Sequence, residues 1–505
     1  MTNLEEDVGT SKFLDWAQTA GKLWISDKIR LGRHRSDEQQ GRCIMAVESI
    51  PKGEKLFEIP RESVLNVTTT KLCEQNDEMG EILVLKLGHW EGLIIAILYE
   101  LKVVKDESHW WAYFQVWPQP SAINSLMYWS EDEISHLTPS TVSSRIGREG
   151  AEAMYMRVMA HIKELGLSQL ETVTWDEFVH VASIIMSYSF DMERADYESD
   201  DEELDEDMTD SASGEAVTHS TVWSDGFLKS MVPMADMLNA DTHKCNANLT
   251  YSPESLIMVA VKDIAAGEQV YNIYGEFSNS EILRRYGYVE WAGSKHDCGE
   301  ISLETIVAAT QICMGSSRAV IDKVLDFIMN QADIRDEVLE GETLIMDSYD
   351  CYVDGQFSPE LVSVLQILSC ILQVPGVEQL NDKVLLSYLQ NLVKRSIQNV
   401  NANEITRSCA HLCECAVDLR LRAYPSFSFR EPSPNAEPQS VKELKIKMAE
   451  CVLRSEVKSF QNCLLLLENE YQLVDDNSLL DKIIVPKRKI GHKKNKTTPA
   501  KRMKK

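Results

Sequence analysis

No stretch of this sequence holds the roughly 18 unbroken apolar residues that a membrane-spanning helix needs. The longest apolar runs, such as Gly92–Leu98, fit buried elements of a folded core. The first residues, MTNLEEDVG, are acidic and polar and lack the basic-then-apolar order of a secretory leader. There is no glycine-rich phosphate loop: Gly41-Arg-Cys lacks both the Lys-Ser/Thr ending and the dinucleotide spacing. Internal repeats are absent too. The 12 cysteines are scattered, mostly in apolar surroundings (Cys43, Cys313, Cys370, Cys451), which reads as a reducing compartment rather than a disulfide framework. Cys409, Cys413 and Cys415 with His411 lack the paired C-x-x-C spacing of structural zinc sites, so no metal centre is expected.

What is present is a chain of 505 residues, 44% hydrophobic and 26% charged. That balance is globular rather than disordered. The length can bury a large core and suggests two to four units at about 150 residues each. Charge is more telling. The net value is −28, yet the last 24 residues, Lys482–Lys505, contribute +11 with no Asp or Glu, so the rest carries −39. Such a body repels nucleic acid and attracts basic partners. It suits a basic protein substrate, or it is a solvated surface that aids solubility.

Along the chain, Lys12–Leu23 has helical spacing of apolar residues. Gly41-Arg-Cys-Ile-Met-Ala-Val, Ser-Ile-Pro-Lys-Gly-Glu and Lys-Leu-Phe-Glu-Ile-Pro read as strand, turn, strand. Helical periodicity runs from about Thr69 to Ser189, clearest over Glu91–Leu101 and Trp175–Phe190. Thr174 is placed as an N-cap with Glu177 at capping-box spacing. Asp191–Asp210 holds 12 acids and reads as a loop, or as a docking tether for a basic protein. Strand signals return at Ala247–Tyr251, Leu256–Val261 and Gln269–Ile273, followed by a helix over Asn279–Tyr286. Ser302–Gln331, Pro359–Leu372, Asp382–Val400 and Val441–Tyr471 are helix candidates. The expected fold class is therefore α+β: a core of short strands, a helical insert, then an α-helical domain. The boundaries are 1–24 for an N-terminal helix, 25–290 for the strand-rich domain (insert about 69–225, acidic loop 191–220), 291–480 for the helical domain and 481–505 for a basic tail. The tail reads as a nuclear-import address or a nucleic-acid patch.

Three separated segments carry the chemistry. Gln40-Gly41-Arg42-Cys43-Ile44 puts a glycine at a strand entrance, where backbone can approach a ligand. Met231-Val-Pro-Met-Ala-Asp236-Met-Leu-Asn239-Ala240-Asp continues to Asn246-Ala-Asn-Leu-Thr-Tyr251, with an Asn that caps a turn or holds the polar end of a ligand. Asn272-Ile-Tyr274-Gly275-Glu276 and Arg285-Tyr286-Gly287-Tyr288-Val-Glu290 place two Tyr-Gly pairs within 13 residues.

In this order the three segments resemble a SET-domain protein lysine methyltransferase. The resemblance is to the branch with an insert inside the SET domain and a C-terminal helical domain of the Rubisco-methyltransferase substrate-binding type. It looks most like the fungal enzymes that methylate large-subunit ribosomal proteins. The resemblance implies S-adenosyl-L-methionine as cofactor and a lysine of a 60S ribosomal protein as substrate, with one methyl added. It implies Tyr274 as the catalytic tyrosine, and Gln40, Gly41, Arg42, Tyr188, Asn239, Ala240 and Tyr286 around the cofactor. Trp110, Ser189, Asp191 and Tyr288 fall where such enzymes line the substrate-lysine channel. One departure stands out: the family commonly has His after the Asn, and here the residue is Ala240. The alternative is a catalytically inactive SET-like acidic scaffold or chaperone for basic nuclear or ribosomal proteins. Expected partners are a basic, ribosomal protein, no membrane, and no nucleic acid apart from contacts of the tail. The expected location is the nucleus, with the cytoplasm as a second site.

Overall fold

In the computed structural model, the residues described are 4, 5, 7–34, 41–74, 79, 80, 82–193, 227–425 and 440–483. Gln40, all but the start of the acidic loop, and the basic tail beyond residue 483 lie outside them.

The first unit comprises Met1–Cys298 with Ser426–Lys458. Its strand core is two small sheets. One runs β1 (Leu4–Glu5), β3 (Ile29–His34), β4 (Arg42–Ala46), β11 (Gln269–Asn272), β8 (Asn239–Ala240). The other runs β2 (Trp24–Ile25), β5 (Lys55–Pro60), β10 (Ser255–Ala260), β9 (Ala247–Tyr251). A separate ribbon pairs β6 (Ser189–Glu193) with β7 (Phe227–Met231). Alternation explains why these residues pair as they do. Leu256, Met258 and Ala260 are buried on one face of β10, while Ile257 and Val259 are only half-buried. Leu256 and Met258, taken out of water this way, each contribute about 1.5–3 kcal/mol.

Helices fill the insert. Gly88–Tyr99 is buried along most of its length, with Leu93, Ile94, Ile95 and Ile97 inside the main core. Gly92 permits that packing, because a Cβ there would sit 2.3 Å from the Leu83 carbonyl oxygen. Trp175–Tyr188 begins with the expected capping box: Glu177 accepts from the Thr174 N–H at 2.8 Å and Thr174 Oγ accepts from the Glu177 N–H at 3.3 Å. It stops at Tyr188, two residues before the expected end, and Ser189 opens β6. The N-terminal helix, Val8–Gln18, starts earlier than the apolar spacing suggests. Asp7 caps it by accepting from the Thr10 N–H at 2.7 Å.

The second unit, Gly299–Pro425 with Ser459–Lys505, is mainly helical where described, with a few short strands. The expected single helix over Ser302–Gln331 is two, Leu303–Met314 and Arg318–Asn330. Gly315, at φ +65°, closes the first by donating to Gln311 O at 3.1 Å. Pro359–Ile371 is buried along nearly its whole length. Two short strand pairs, Cys298–Ser302 with Ser348–Tyr352 and Glu404–Thr406 with Gln472–Val474, had no clear sequence signal. Cys409 and Cys413 are buried on the Arg407–Leu421 helix, while His411 is exposed beside Glu414. No disulfide links any of the 12 cysteines. Among the described residues no helix is long and apolar enough to cross a membrane.

Candidate active site

Strand pairing puts the second and third motif segments side by side. β8 lies parallel to β11, with Asn239 opposite Tyr271 and Ala240 opposite Asn272. So short a parallel pair needs help, and Asn246 supplies it. Its side chain accepts from Tyr271 N at 2.8 Å and donates to Gln269 O at 3.0 Å, continuing the ladder with an amide. Asn239 Nδ2 donates to Gln269 Oε1 at 2.7 Å. The Asn272 amide oxygen is buried without a hydrogen-bond partner among the described residues.

Just past β11 the chain turns at Gly275, φ +149°, where a Cβ would meet the Phe277 ring at 2.5 Å. The turn presents Tyr274, whose hydroxyl donates to Leu238 O at 2.7 Å. The Asn279–Tyr286 helix then ends at Gly287, φ +74°. A Cβ on Gly287 would stand 2.5 Å from the backbone of Asn124 and Ser125, so only glycine lets the turn seat here. Leu283 and Val289, on either side of it, pack with Trp129, Leu444, Met448 and Val452. Ser187 Oγ donates to Arg285 O at 2.7 Å, tying the insert helix to the same turn.

Three tyrosines converge as a result. The Tyr274 ring is 4.7 Å from Tyr286 and 6.4 Å, edge-on, from Tyr288; Tyr286 and Tyr288 are 6.4 Å apart. The Tyr288 hydroxyl donates to Ala240 O at 3.4 Å. Burial pushes the Tyr274 hydroxyl well above its ordinary pKa, with Tyr288, Tyr188, Tyr286 and Asp236 adding to it. Burial, helped by the Asp236 charge, also pushes Tyr188 up to about 12. These phenols stay protonated at neutral pH.

Sequence reasoning missed the partner beneath them. Tyr113 donates its hydroxyl to Asp236 Oδ2 in a very short contact. Burial pushes the Asp236 carboxyl up to about 7, against the hydrogen bonds from Tyr113 and from the turn's own backbone. That turn is strained: Met234 sits at φ +78°, a region costly for a residue with a Cβ. Tyr113 lies in the aromatic run Trp110-Trp111-Ala-Tyr113-Phe114, where nothing marks one ring as different from the others.

The remaining positions behave differently from one another. Gly41 takes φ +63° with open space where a Cβ would be. The Arg42 guanidinium is fully engaged away from Gly41, donating to Thr10 Oγ1 at 2.9 Å, Val116 O at 2.7 Å and Asp7 at 3.0 Å. With the guanidinium so engaged, the part of Arg42 beside Gly41 that can face a ligand is its backbone. Trp110, expected along the lysine channel, lies in the core. It is 1% exposed, its ring packs on Trp16 and His109, and its indole N–H donates to Thr69 O at 3.2 Å. Ser189 caps the insert helix, donating its N–H to Ile185 O, and pairs with Met231 across the ribbon. Asp191 is opposite Lys229 on the same ribbon and forms an ion pair with it at 2.8 Å.

A SET-domain family profile matches residues 41–275. The ribosomal lysine N-methyltransferase 4 of Saccharomyces cerevisiae is 41% identical over 487 residues, covering 95% of this chain and 96% of that one. The N-lysine methyltransferase setd6 of Salmo salar is 30% identical, covering 59% of this chain and 62% of that one. Among solved structures, the SET domain of LSMT bound to lysine and AdoHcy superposes with a TM-score of 0.59 at 17% identity, covering 95% of this chain and 97% of that one. The fold is that of a SET-domain protein. The chain belongs to the SET-domain lysine N-methyltransferases.

Proposed function

We propose that this protein transfers one methyl group from S-adenosyl-L-methionine to the ε-nitrogen of a lysine in a large-subunit ribosomal protein. The observation that carries the reading is the tyrosine group around Tyr274, built on the strand pair of Asn239 and Tyr271.

The residues present fit the cofactor. Gly41 offers bare backbone, and Asn272 keeps a buried acceptor oxygen opposite Ala240. Gly41, Asn239, Ala240, Tyr188 and Tyr286 would hold it. When bound, it supplies a sulfonium methyl carbon.

The rest of the chemistry belongs to the chain. A lysine has a pKa near 10.4, so about one in a thousand is neutral at physiological pH, a handicap of roughly 4 kcal/mol. Aromatic surroundings that exclude water from a bound lysine disfavour the ammonium and reduce that handicap. Tyr274 spends its proton on Leu238 O, which leaves its oxygen lone pairs to accept from the amine and aim the nitrogen. A protonated phenol does not serve as a base here. Its task is orientation, and the aromatic faces of Tyr286 and Tyr288 suit a lysine stem. The acidic body, −28 overall despite its basic tail, draws basic partners towards it. The basic segment Lys482–Lys505 acts in this reading as a nuclear-import address, which a reporter fused to that segment tests.

The test uses labelled cofactor and ribosomal proteins from cells lacking this chain, followed by intact-mass analysis. Transfer of label that stops at one methyl supports the reading. Transfer that persists unchanged in Tyr274→Phe and Asn239→Ala variants removes the site assignment.

A further inference from the structure

The two halves of the site come from separate stretches, Asn239–Ala240 and Tyr286–Tyr288. The direct tie between them is weak. Tyr288 reaches Ala240 O at 3.4 Å, and the Ala240 side chain has nothing polar to offer. A firmer tie lies two residues further along each stretch. Glu290 Oε1 accepts from Thr242 N at 2.7 Å, and Glu290 Oε2 accepts from Thr242 Oγ1 at 2.6 Å. Glu290 is 7% exposed and Thr242 6%, so the bond forms out of water.

Both partners are anchored in turn. Asn279 clamps the backbone of Glu290, accepting from its N–H at 2.8 Å and donating to its carbonyl at 3.0 Å. Asn279 N donates to Asp297 Oδ1 at 2.8 Å, and Lys295 N donates to Thr242 Oγ1 at 3.1 Å. A buried carboxylate raised in pKa by desolvation is costly to keep. Both of its oxygens are spent on one threonine.

We propose that Glu290 and Thr242 are positioning residues, a clasp that sets the spacing between the Asn239–Ala240 strand and the Tyr286–Tyr288 turn. The inference rests on the methyltransferase reading above. Its physical basis is reach. Each clasp residue is two positions from the residue it places, so a shift at the clasp has only one intervening residue in which to be absorbed before Ala240 or Tyr288. A misplacement of about 1 Å at such a site costs on the order of 10²-fold in rate.

The full-length enzyme tests this with four variants. Thr242→Ser keeps both bonds, Thr242→Val keeps shape but loses the hydroxyl, and Glu290→Gln turns an acceptor into a donor. Ser140→Ala removes a different buried serine–glutamate bond, to Glu456, in the same unit. Melting, S-adenosylhomocysteine affinity by calorimetry, and kcat on ribosomal proteins from cells lacking the chain are read for each. Thr242→Val and Glu290→Gln should weaken S-adenosylhomocysteine about tenfold and lower kcat about 10²-fold. Thr242→Ser should stay within about twofold, and Ser140→Ala should lower melting alone. If Glu290→Gln fails to fold, the Thr242→Val and Thr242→Ser pair decides by itself. The proposal is overturned if Thr242→Val loses stability like Ser140→Ala while binding and turnover stay at the parent's level. A parent enzyme that neither binds S-adenosylhomocysteine nor transfers label overturns the methyltransferase reading, and the clasp with it.

Discussion

The hydroxyl of Tyr274 donates to the carbonyl oxygen of Leu238 across 2.7 Å. The bond fixes the phenol's rotation, and with it the direction its lone pairs face. Tyr274→Phe keeps the ring and its contacts with Tyr286 and Tyr288. It should therefore cost about 1 kcal/mol of stability while kcat falls on the order of 10²-fold or more. Thermal melting and label transfer measured on the same preparation separate the two effects. A phenylalanine variant with parental turnover would leave Tyr274 as packing only.

Asp236 predicts a pH dependence of stability. Its carboxyl is pushed from 3.8 up to about 7 in the folded chain, chiefly by burial. The folded state therefore holds that proton more tightly than the unfolded state. The stabilisation is fully present below about pH 4, declines as pH rises, and is gone above about 7. Asp236→Asn should flatten the change of urea midpoint across that window. Tyr113→Phe should move the window upward, because the Tyr113 hydrogen bond favours the ionised carboxylate. An asparagine variant that keeps the parental slope rules out Asp236 as its source.

What the sequence made legible was local. The Thr174–Glu177 capping box, the Asn279–Tyr286 helix and the β4, β5, β9 and β11 strands all follow from spacing and propensity within a few residues. The convergence of Asn239, Tyr274 and Tyr286 was accessible only through resemblance. What stayed hidden was contact between distant residues. Tyr113 and Asp236 are 123 positions apart, and Thr242 and Glu290 are 48. No periodicity links them. Trp110 shows the converse: an aromatic residue announces burial but not which ring it will face. Gly315 shows a third limit, since helical spacing continues past a residue whose left-handed backbone ends the helix.

Arg42 should prove structural in its side chain. Its guanidinium is 10% exposed and shared among Asp7, Thr10 and the Val116 carbonyl. Burial acts to raise the Asp7 carboxyl, but hydrogen bonds from Arg33 and Thr10 and the charge of Arg42 hold it well below the usual range. That contribution is present above about pH 4 and lost as pH falls. Arg42→Ala should lower stability by about 2 kcal/mol, most visibly near neutral pH. S-adenosylhomocysteine affinity should change less, because β4 and Gly41 keep their backbone. A tenfold loss of affinity with unchanged melting would contradict this account.

Gly287 should be the least replaceable glycine of the site. Its φ of +74° already strains any residue with a Cβ, and that Cβ would stand 2.5 Å from the backbone of Asn124 and Ser125. Backbone does not swing aside as a flexible side chain does. The turn must lift, carrying Tyr286 and Tyr288 with it. Gly287→Ala is therefore expected to cost about 3 kcal/mol or more and to abolish label transfer even where the chain still folds. Gly267 provides the comparison. It has φ +88° but nothing within 4 Å of its would-be Cβ, so Gly267→Ala meets backbone strain without a clash. Its cost should be about 1 kcal/mol, with turnover close to the parent's. Melting and label transfer on the two variants check this directly, and equal effects in both would mean that positive φ, rather than the close approach to Asn124, is what the site demands.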